Sequence, residues 1–520
     1  MDLVLGGVGK YHAAFWVGLA IVLWVWRRFR SGRALPVAVR WALAAPVVLA
    51  CVVALVTFDY VDSDEQEHLH ASYLVSLGQR PFIDFFEHHN PTLYYLLAPL
   101  IALLPRSAAV LDASAAIAGV LALMGVLGTA LLARRLWGPG LGLWAGAIFL
   151  THGPWLELHV LRPDVFATVL ALAAVWVLAA RRDLPFMAAS GGLLAAALCF
   201  VPKQWLLGLL APAVLLPGQW RSGAAWRQVG LWLLGLGAGI VAYLAWLHGA
   251  GLLDAWRFWV IEHNARVLVE GRKTLLVSLP AITAVLALGG YLLLRRGGHL
   301  REDRLARTAV AAVVLALLGA VIRVAPYGWD MQLPVMLGAV LAAEPARLAF
   351  DYLHRRSVLL TAALAALLLG RFVLPVAFGL YHGRYSASRA EMTILLAVAG
   401  DEGVVCRAGH HPVLATDATD LWHWWQWERW MSQPAVRERL SGIGPAIRRA
   451  RPPIIYDREP GRERLLPALR HAGLVEAQEA ERLGEFLAAH YTLRGLRTHE
   501  GVLAWFWIRN DRMDDIPRAP

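Results

Sequence analysis

"PTLYYLLAPLIALLP", Pro91 to Pro105, decides how this chain is threaded. Its apolar run of about fourteen residues falls short of the roughly twenty that a membrane-crossing helix needs, so it reads as an interfacial or re-entrant segment. Around it, apolar runs long enough or nearly long enough to cross recur at 11–26, 41–58, 108–133, 141–160, 164–180, 186–200, 205–217, 229–247, 275–294, 305–323, 331–345 and 357–378, about twelve spans. If 91–105 does not cross, the loops at 27–40, 134–140, 181–183, 218–228, 295–307 and 344–356 share one side and carry 19 Lys and Arg. The loops at 59–107, 158–164, 201–205, 248–274 and 323–330 carry only 9. Positive charge collects in the cytoplasm, so the second set faces outward. A crossing at 91–105 would put Arg134, Arg135 and every later basic loop on the wrong side.

Composition agrees with a bilayer environment: 58% of residues are hydrophobic, 17% are charged, and there are 23 Trp. The run from Tyr11 to Trp26 is followed, not preceded, by Arg27, Arg28, Arg30 and Arg33, which reads as a retained helix and not as a cleaved signal peptide. The net charge of +11 follows largely from the cytoplasmic loops and implies no nucleic-acid partner. Cys51, Cys199 and Cys406 form no disulfide framework. From about Tyr381 the sequence turns polar with short mixed runs. We therefore expect an α-helical polytopic membrane domain over 1–380, with 59–107 as its outer loop, and a small α+β extracytoplasmic domain over 381–520.

The outer loops hold the unusual polar residues. Phe58 to Pro99 contains seven carboxylates and four histidines. Ser63-Asp64-Glu65-Gln66 has the form of a capping box, and Leu69, Tyr73 and Leu77 then fall on one stripe, which predicts an amphipathic helix from Asp64. Asp64 and Glu65 lie in its first turn, where they either complement the dipole or serve as a held, ionised general base. Glu87, His88 and His89 in "DFFEHHNP" offer donors for a divalent metal, though without a defined ligand spacing. Asp62-Ser63-Asp64 also reads as DxD, a weak signal at three residues. Gly235 and Gly239 form GxxxG inside a span and fit close helix packing better than a dinucleotide loop. Arg162-Pro163-Asp164 has the form of a helix start. Lys203, a lone cation between apolar runs, either snorkels or holds an anion.

Taken in order, "DSDEQEHLHASYLVSLGQRPFIDFFEHHNPTLYYLLAP", "LLARRLWG", "LRPDVFATVLALAAVW", "FVPKQW" and "FWVIEHNARV" resemble the lipid-linked-sugar glycosyltransferases of the GT-C fold. The likeness is to the bacterial branch related to protein O-mannosyltransferases and to lipid A aminoarabinose transferases. It runs through most of 41–345, and "RPPIIYDREP" and "FLAAHYTLRGL" resemble the outer C-terminal domain of that branch. The resemblance implies a polyprenyl-phosphate sugar donor and an acidic base in the first outer loop. It puts the family's Asp-Glu pair on Asp64 and Glu65, the second-loop acid on Asp164 and the phosphate-side lysine on Lys203. His89-Asn90-Pro91 stands where the family has Lys-Pro-Pro, so His89 would replace that phosphate contact. A metal would be held by Glu87 or His88 together with His263. Asp62 and Arg162 would lie beside the substrate or behind the acids.

Chemistry outside the cytoplasm points the same way, because an activated donor there arrives as a membrane lipid and not as a nucleotide sugar. In the expected reaction Asp64 takes a proton from an acceptor hydroxyl of a glycan, lipid or protein. The anomeric carbon inverts, and the departing phosphate is stabilised by Lys203 with Arg266 or Arg323. The expected location is the inner membrane. Two other classes remain: a secondary transporter, which calls for mid-membrane charges and repeats, and a metal-dependent lipid-phosphate hydrolase, which calls for a definite ligand set. The topology is tested by thiol labelling of Ser107→Cys and Ser386→Cys in intact cells. Both should react from outside, and protection of either contradicts the threading.

Overall fold

The computed structural model describes residues 63–107, 109–138, 140–150, 160–180, 183–265, 287–292, 304–322, 331–357, 384–406, 413–416, 443–457, 477–498 and 501–516. The spans expected at 11–26 and 41–58, and most of those at 275–294 and 357–378, lie outside this set. So do Asp62, Arg266, Arg323 and the side chain of Lys203.

Helix α1 runs Ser63–Ser76. Its burial departs from the amphipathic expectation: Glu65, Gln66, Glu67, His68, His70 and Ser72 are buried alongside Leu69 and Leu74, while Leu77 lies past the helix end, half exposed. Polar residues occupy the interior side here because partners from other segments, such as Ser114 and Tyr94, meet them. Helix α2, Thr92–Leu103, is the disputed apolar segment. Twelve residues at about 1.5 Å each reach only about 18 Å, short of a roughly 30 Å hydrocarbon core. Leu93, Tyr94, Leu97 and Ile101 form its buried face, and the opposite face, Leu96, Leu100 and Leu103, is apolar and exposed.

Helices α3 (Ala109–Trp137), α4 (Leu141–Leu150), α5 (Pro163–Ala180), α6 (Leu184–Phe200), α7 (Leu210–Leu215) and α8 (Gly223–Gly249) follow. Among the described residues, α3, α5 and α8 are long and apolar enough to cross a membrane. The span expected at 205–217 is instead a 3-10 stretch, Pro202–Leu209, kinked at Gln204, leading into the six residues of α7. Pro202 and Pro212 each remove a backbone donor that a continuous helix would use. Beyond a short helix, Leu253–Trp256, the chain continues as a π-helix, Arg257–His263. Helices α9 (Arg304–Ile322) and α10 (Gln332–Arg356) complete the helical body. The expected loop at 344–356 is in fact the last part of α10. Arg347 bridges Glu344 at 2.6 Å and Asp351 at 2.6 Å, three and four residues away, and so supports a charged helical end.

The remaining described residues hold α11 (Arg384–Ala399), β1 (Val405–Cys406), α12 (Ile443–Ala450), β2 (Ile454–Asp457), α13 (Ala477–His490), β3 (Tyr491–Thr498) and β4 (Gly501–Arg509). The sheet order is β1-β2-β4-β3, with β1 parallel to β2 and the other pairs antiparallel. Ile454 pairs with Ile508 and Tyr456 with Phe506, so period-two alternation puts all four on one face, against Leu395 and Val398 of α11. At the exit of α2, Arg106 donates to the Leu414 carbonyl at 2.7 Å and to Asp401 at 2.8 Å, tying this part to the membrane-side helices.

The GxxxG reading holds. A Cβ on Gly235 would strike the Ala188 carbonyl, and one on Gly239 the Ala195 side chain, so α6 and α8 meet backbone to backbone. Gly237, between them, faces open space. Gly235→Val should lower thermal stability in detergent by more than the ~1–3 kcal/mol typical of overpacking, whereas Gly237→Ala should be neutral. Equal effects of the two would mean that the helices do not pack through Gly235.

Candidate functional site

The first turns of α1 bring three acids to three different partners. Glu65, 3% exposed, accepts a short hydrogen bond from Ser114 of α3. Asp64 turns the other way and stays 29% exposed at its side chain, with its Oδ2 3.3 Å from the guanidinium of Arg162. Arg162 is itself buried and immediately precedes Pro163, the first residue of α5, with Asp164 next in the same turn. Glu67, further along α1, faces the 87–90 segment, with its Oε1 3.4 Å from His89 Nδ1.

That segment is held by a clamp of polar groups. Asn90 donates to the Leu198 carbonyl at 3.2 Å, and Thr92 to the Cys199 carbonyl at 2.6 Å. Both carbonyls lie at the C-terminal end of α6, where backbone acceptors lack helical partners. Trp256 donates to the Asn90 side-chain oxygen at 2.7 Å, and Asn264, just past the π-helix, donates to the His88 carbonyl at 2.8 Å. π-Helical turns are rare and often occur at functional sites; this one aims Asn264 at the segment.

With its backbone fixed, the segment folds onto Glu87. The buried Glu87 Oε1 accepts from the amides of His88 (2.7 Å) and His89 (2.9 Å) and lies 2.8 Å from His89 Nδ1. Burial works against charge on His89, but hydrogen bonds to Glu67 and then Glu87 prevail and push its pKa up to about 10. Fully buried His68, whose ring lies 4.9 Å from that of His89, goes the other way. Burial first, and the neighbouring His89 charge second, hold it down at about 3, so it stays neutral with Nδ1 3.2 Å from the Tyr94 hydroxyl. One histidine carries the proton between two carboxylates and the other does not.

Glu67, Glu87, His88 and His89 each offer one ligand atom, all within 4.8 Å of one another. Two carboxylates and two imidazoles suit a borderline divalent ion. Glu87 and His88, expected as metal donors, fall in this group. His263 does not; it is buried at the end of the π-helix with its ring 5.2 Å from Trp259, which in turn meets Phe86. Among the expected site residues, the structure thus brings Asp64 to Arg162, and Glu87 and His88 to His89. Glu67, His68, Ser114 and Asn264 are not singled out by the sequence reading. Glu67 and His68 stand three and four residues after Asp64, a spacing that shares a helical face. Ser114 gives no such signal, because its partner is 49 residues away.

No protein-family model matches the sequence, and no curated protein does. Solved structures do match. The crystal structure of ArnT from Cupriavidus metallidurans bound to undecaprenyl phosphate superposes with a TM-score of 0.61 at 13% identity, over 92% of this chain and 99% of that one. The apo structure of the same protein gives 0.59 at 12% identity, over 93% of this chain and 100% of that one. The chain has the GT-C fold.

Removing the partner of a buried acid should show in stability. Ser114→Ala leaves Glu65 one hydrogen bond short and should cost about 1–3 kcal/mol, read as a lower thermal unfolding midpoint. An unchanged midpoint would mean that water reaches Glu65.

Proposed function

We propose that this chain transfers a sugar from a polyprenyl-phosphate donor to an acceptor hydroxyl on the outer face of the membrane, with Asp64 as general base and inversion at the anomeric carbon. The observation that carries the reading is the sorting of the α1 acids: Glu65 and Glu67 are buried against their partners, and Asp64 alone of the three has a partly exposed side chain while held by Arg162. A base must reach its proton and hold its direction, and Asp64 meets both needs. The undecaprenyl phosphate bound by ArnT, which shares the fold, supports a lipid-linked donor.

In this mechanism the acceptor hydroxyl gives its proton to a carboxylate oxygen of Asp64. Its oxygen bonds to the anomeric carbon while the bond from that carbon to the phosphate oxygen breaks. The electron pair leaves with the polyprenyl phosphate, which Lys203, Arg266 and Arg323 stabilise. Asp164, in the first turn of α5 two residues after Arg162, is the second acid of the reaction, and Asp62 assists at the substrate or behind the acids. His89, engaged with two carboxylates, belongs to the Glu67 and Glu87 group and not to the phosphate. A divalent cation fits that group, held by Glu67, Glu87, His88 and His89; bound there it would supply a cross-link between α1 and the 87–89 segment. The chain's own residues perform the transfer.

Asp64→Asn keeps the shape and loses the proton acceptor. It should reduce transfer from radiolabelled polyprenyl-phosphate sugars by about 10²–10⁴-fold, with donor binding retained. Glu65→Gln should remain far more active, and a dead Glu65→Gln beside an active Asp64→Asn would reassign the base. The metal reading is tested by elemental analysis of the purified protein. It should carry about one divalent ion per chain, lost in Glu87→Ala; a trace level in the unmutated protein would leave the group a proton-bridged structural cluster.

A further inference from the structure

Few features of the membrane side are as costly as a guanidinium out of water, and Arg162 is 4% exposed. Val160 and Leu161 before it are 2% and 0% exposed, and Pro163 after it opens α5. Its backbone is thus fixed on both sides, by packing and by a ring that locks φ at the helix start. The planar guanidinium at the end of this rigid mount lies 3.3 Å from Asp64 Oδ2, while Asp64 itself is on a different segment and nearly a third exposed.

We infer that Arg162 is a positioning residue for Asp64: it fixes the rotamer in which the exposed part of the side chain faces the reacting hydroxyl. This rests on the reading of Asp64 as the base and adds to it the group that aims it. Arg162 touches the carboxylate and not the reacting atoms, so its removal acts on the chemical step more than on donor capture. Geometry decides the size of the effect, because displacement of a catalytic group by about 1 Å can cost on the order of 10²-fold in rate. Arginine's fork has a fixed plane that lysine lacks, so lysine replaces the charge but only part of the aim.

The experiment uses the full-length protein in bilayer discs with a polyprenyl-phosphate sugar donor that the unmutated protein turns over. Arg162→Met should lower kcat by about tenfold or more with the donor KM within about threefold, and Arg162→Lys should recover part of the loss. Thermal unfolding of Asp64→Asn, Arg162→Met and the double variant supplies a second readout that needs no activity. The two losses should not add, because both variants break one ion pair, and the double variant should be no less stable than the worse single. A folded Arg162→Met with unchanged kcat, a rise in KM alone, or additive stability losses would overturn the inference. Turnover by no polyprenyl-phosphate donor in the unmutated protein would instead sink the function reading, while the unfolding cycle would still decide whether the pair exists.

Discussion

Charge taken out of water must be answered at close range, and α1 takes a great deal of it out. Glu65 and Glu67 are both buried in its first two turns, beside the neutral ring of His68. An isolated ion in such a place costs several kcal/mol even after relaxation, so each one dictates a partner. Ser114 fixes α3 against Glu65, His89 and Glu87 fold the 87–90 segment against Glu67, and Tyr94 meets His68. The segment can meet these demands only if its own backbone is held, which accounts for the clamp from the end of α6, Trp256 and Asn264. Asp64 is the consequence: the acid at the edge of a helix that cannot turn, left partly open.

The short apolar helix α2 belongs to the same construction. Because it cannot span the membrane, it lies with one apolar face on the protein and the other exposed, and its first turn holds Thr92 and Tyr94 at the level of the acids. A crossing helix would carry those groups to the far side. The arrangement thus ties topology to chemistry through one segment that is too short.

Much of this is legible in the residues themselves. The α2 segment can be read because length alone sets whether a helix crosses, and Gly235 and Gly239 because a missing side chain permits close packing. The GT-C architecture is legible from the order of motifs and not from any one of them. The burial of α1 is not: its Leu69, Tyr73 and Leu77 stripe reads as amphipathic, and only partners far away in sequence, such as Ser114, make a polar helix an interior one. The same holds for the metal-competent group. Glu87 and His88 are neighbours in sequence, but Glu67 joins them only through the fold, and His263, which the resemblance puts with them, is not one of the four donors within 4.8 Å of one another. The helical end of α10 escapes a sequence reading because its charges look like a loop until Arg347 is seen to pair within its own helix.

The central claim is that the bond between the anomeric carbon and the phosphate oxygen breaks while the sugar passes to an acceptor. It is tested most directly by giving the protein, in sealed vesicles with acceptor present, a polyprenyl-phosphate sugar whose bridging oxygen carries a heavy isotope. The account predicts that the isotope leaves in free polyprenyl phosphate and that the sugar appears on the acceptor. Isotope recovered in free sugar would indicate hydrolysis at phosphorus, and intact donor moved across the vesicle membrane would indicate transport; either result would contradict it.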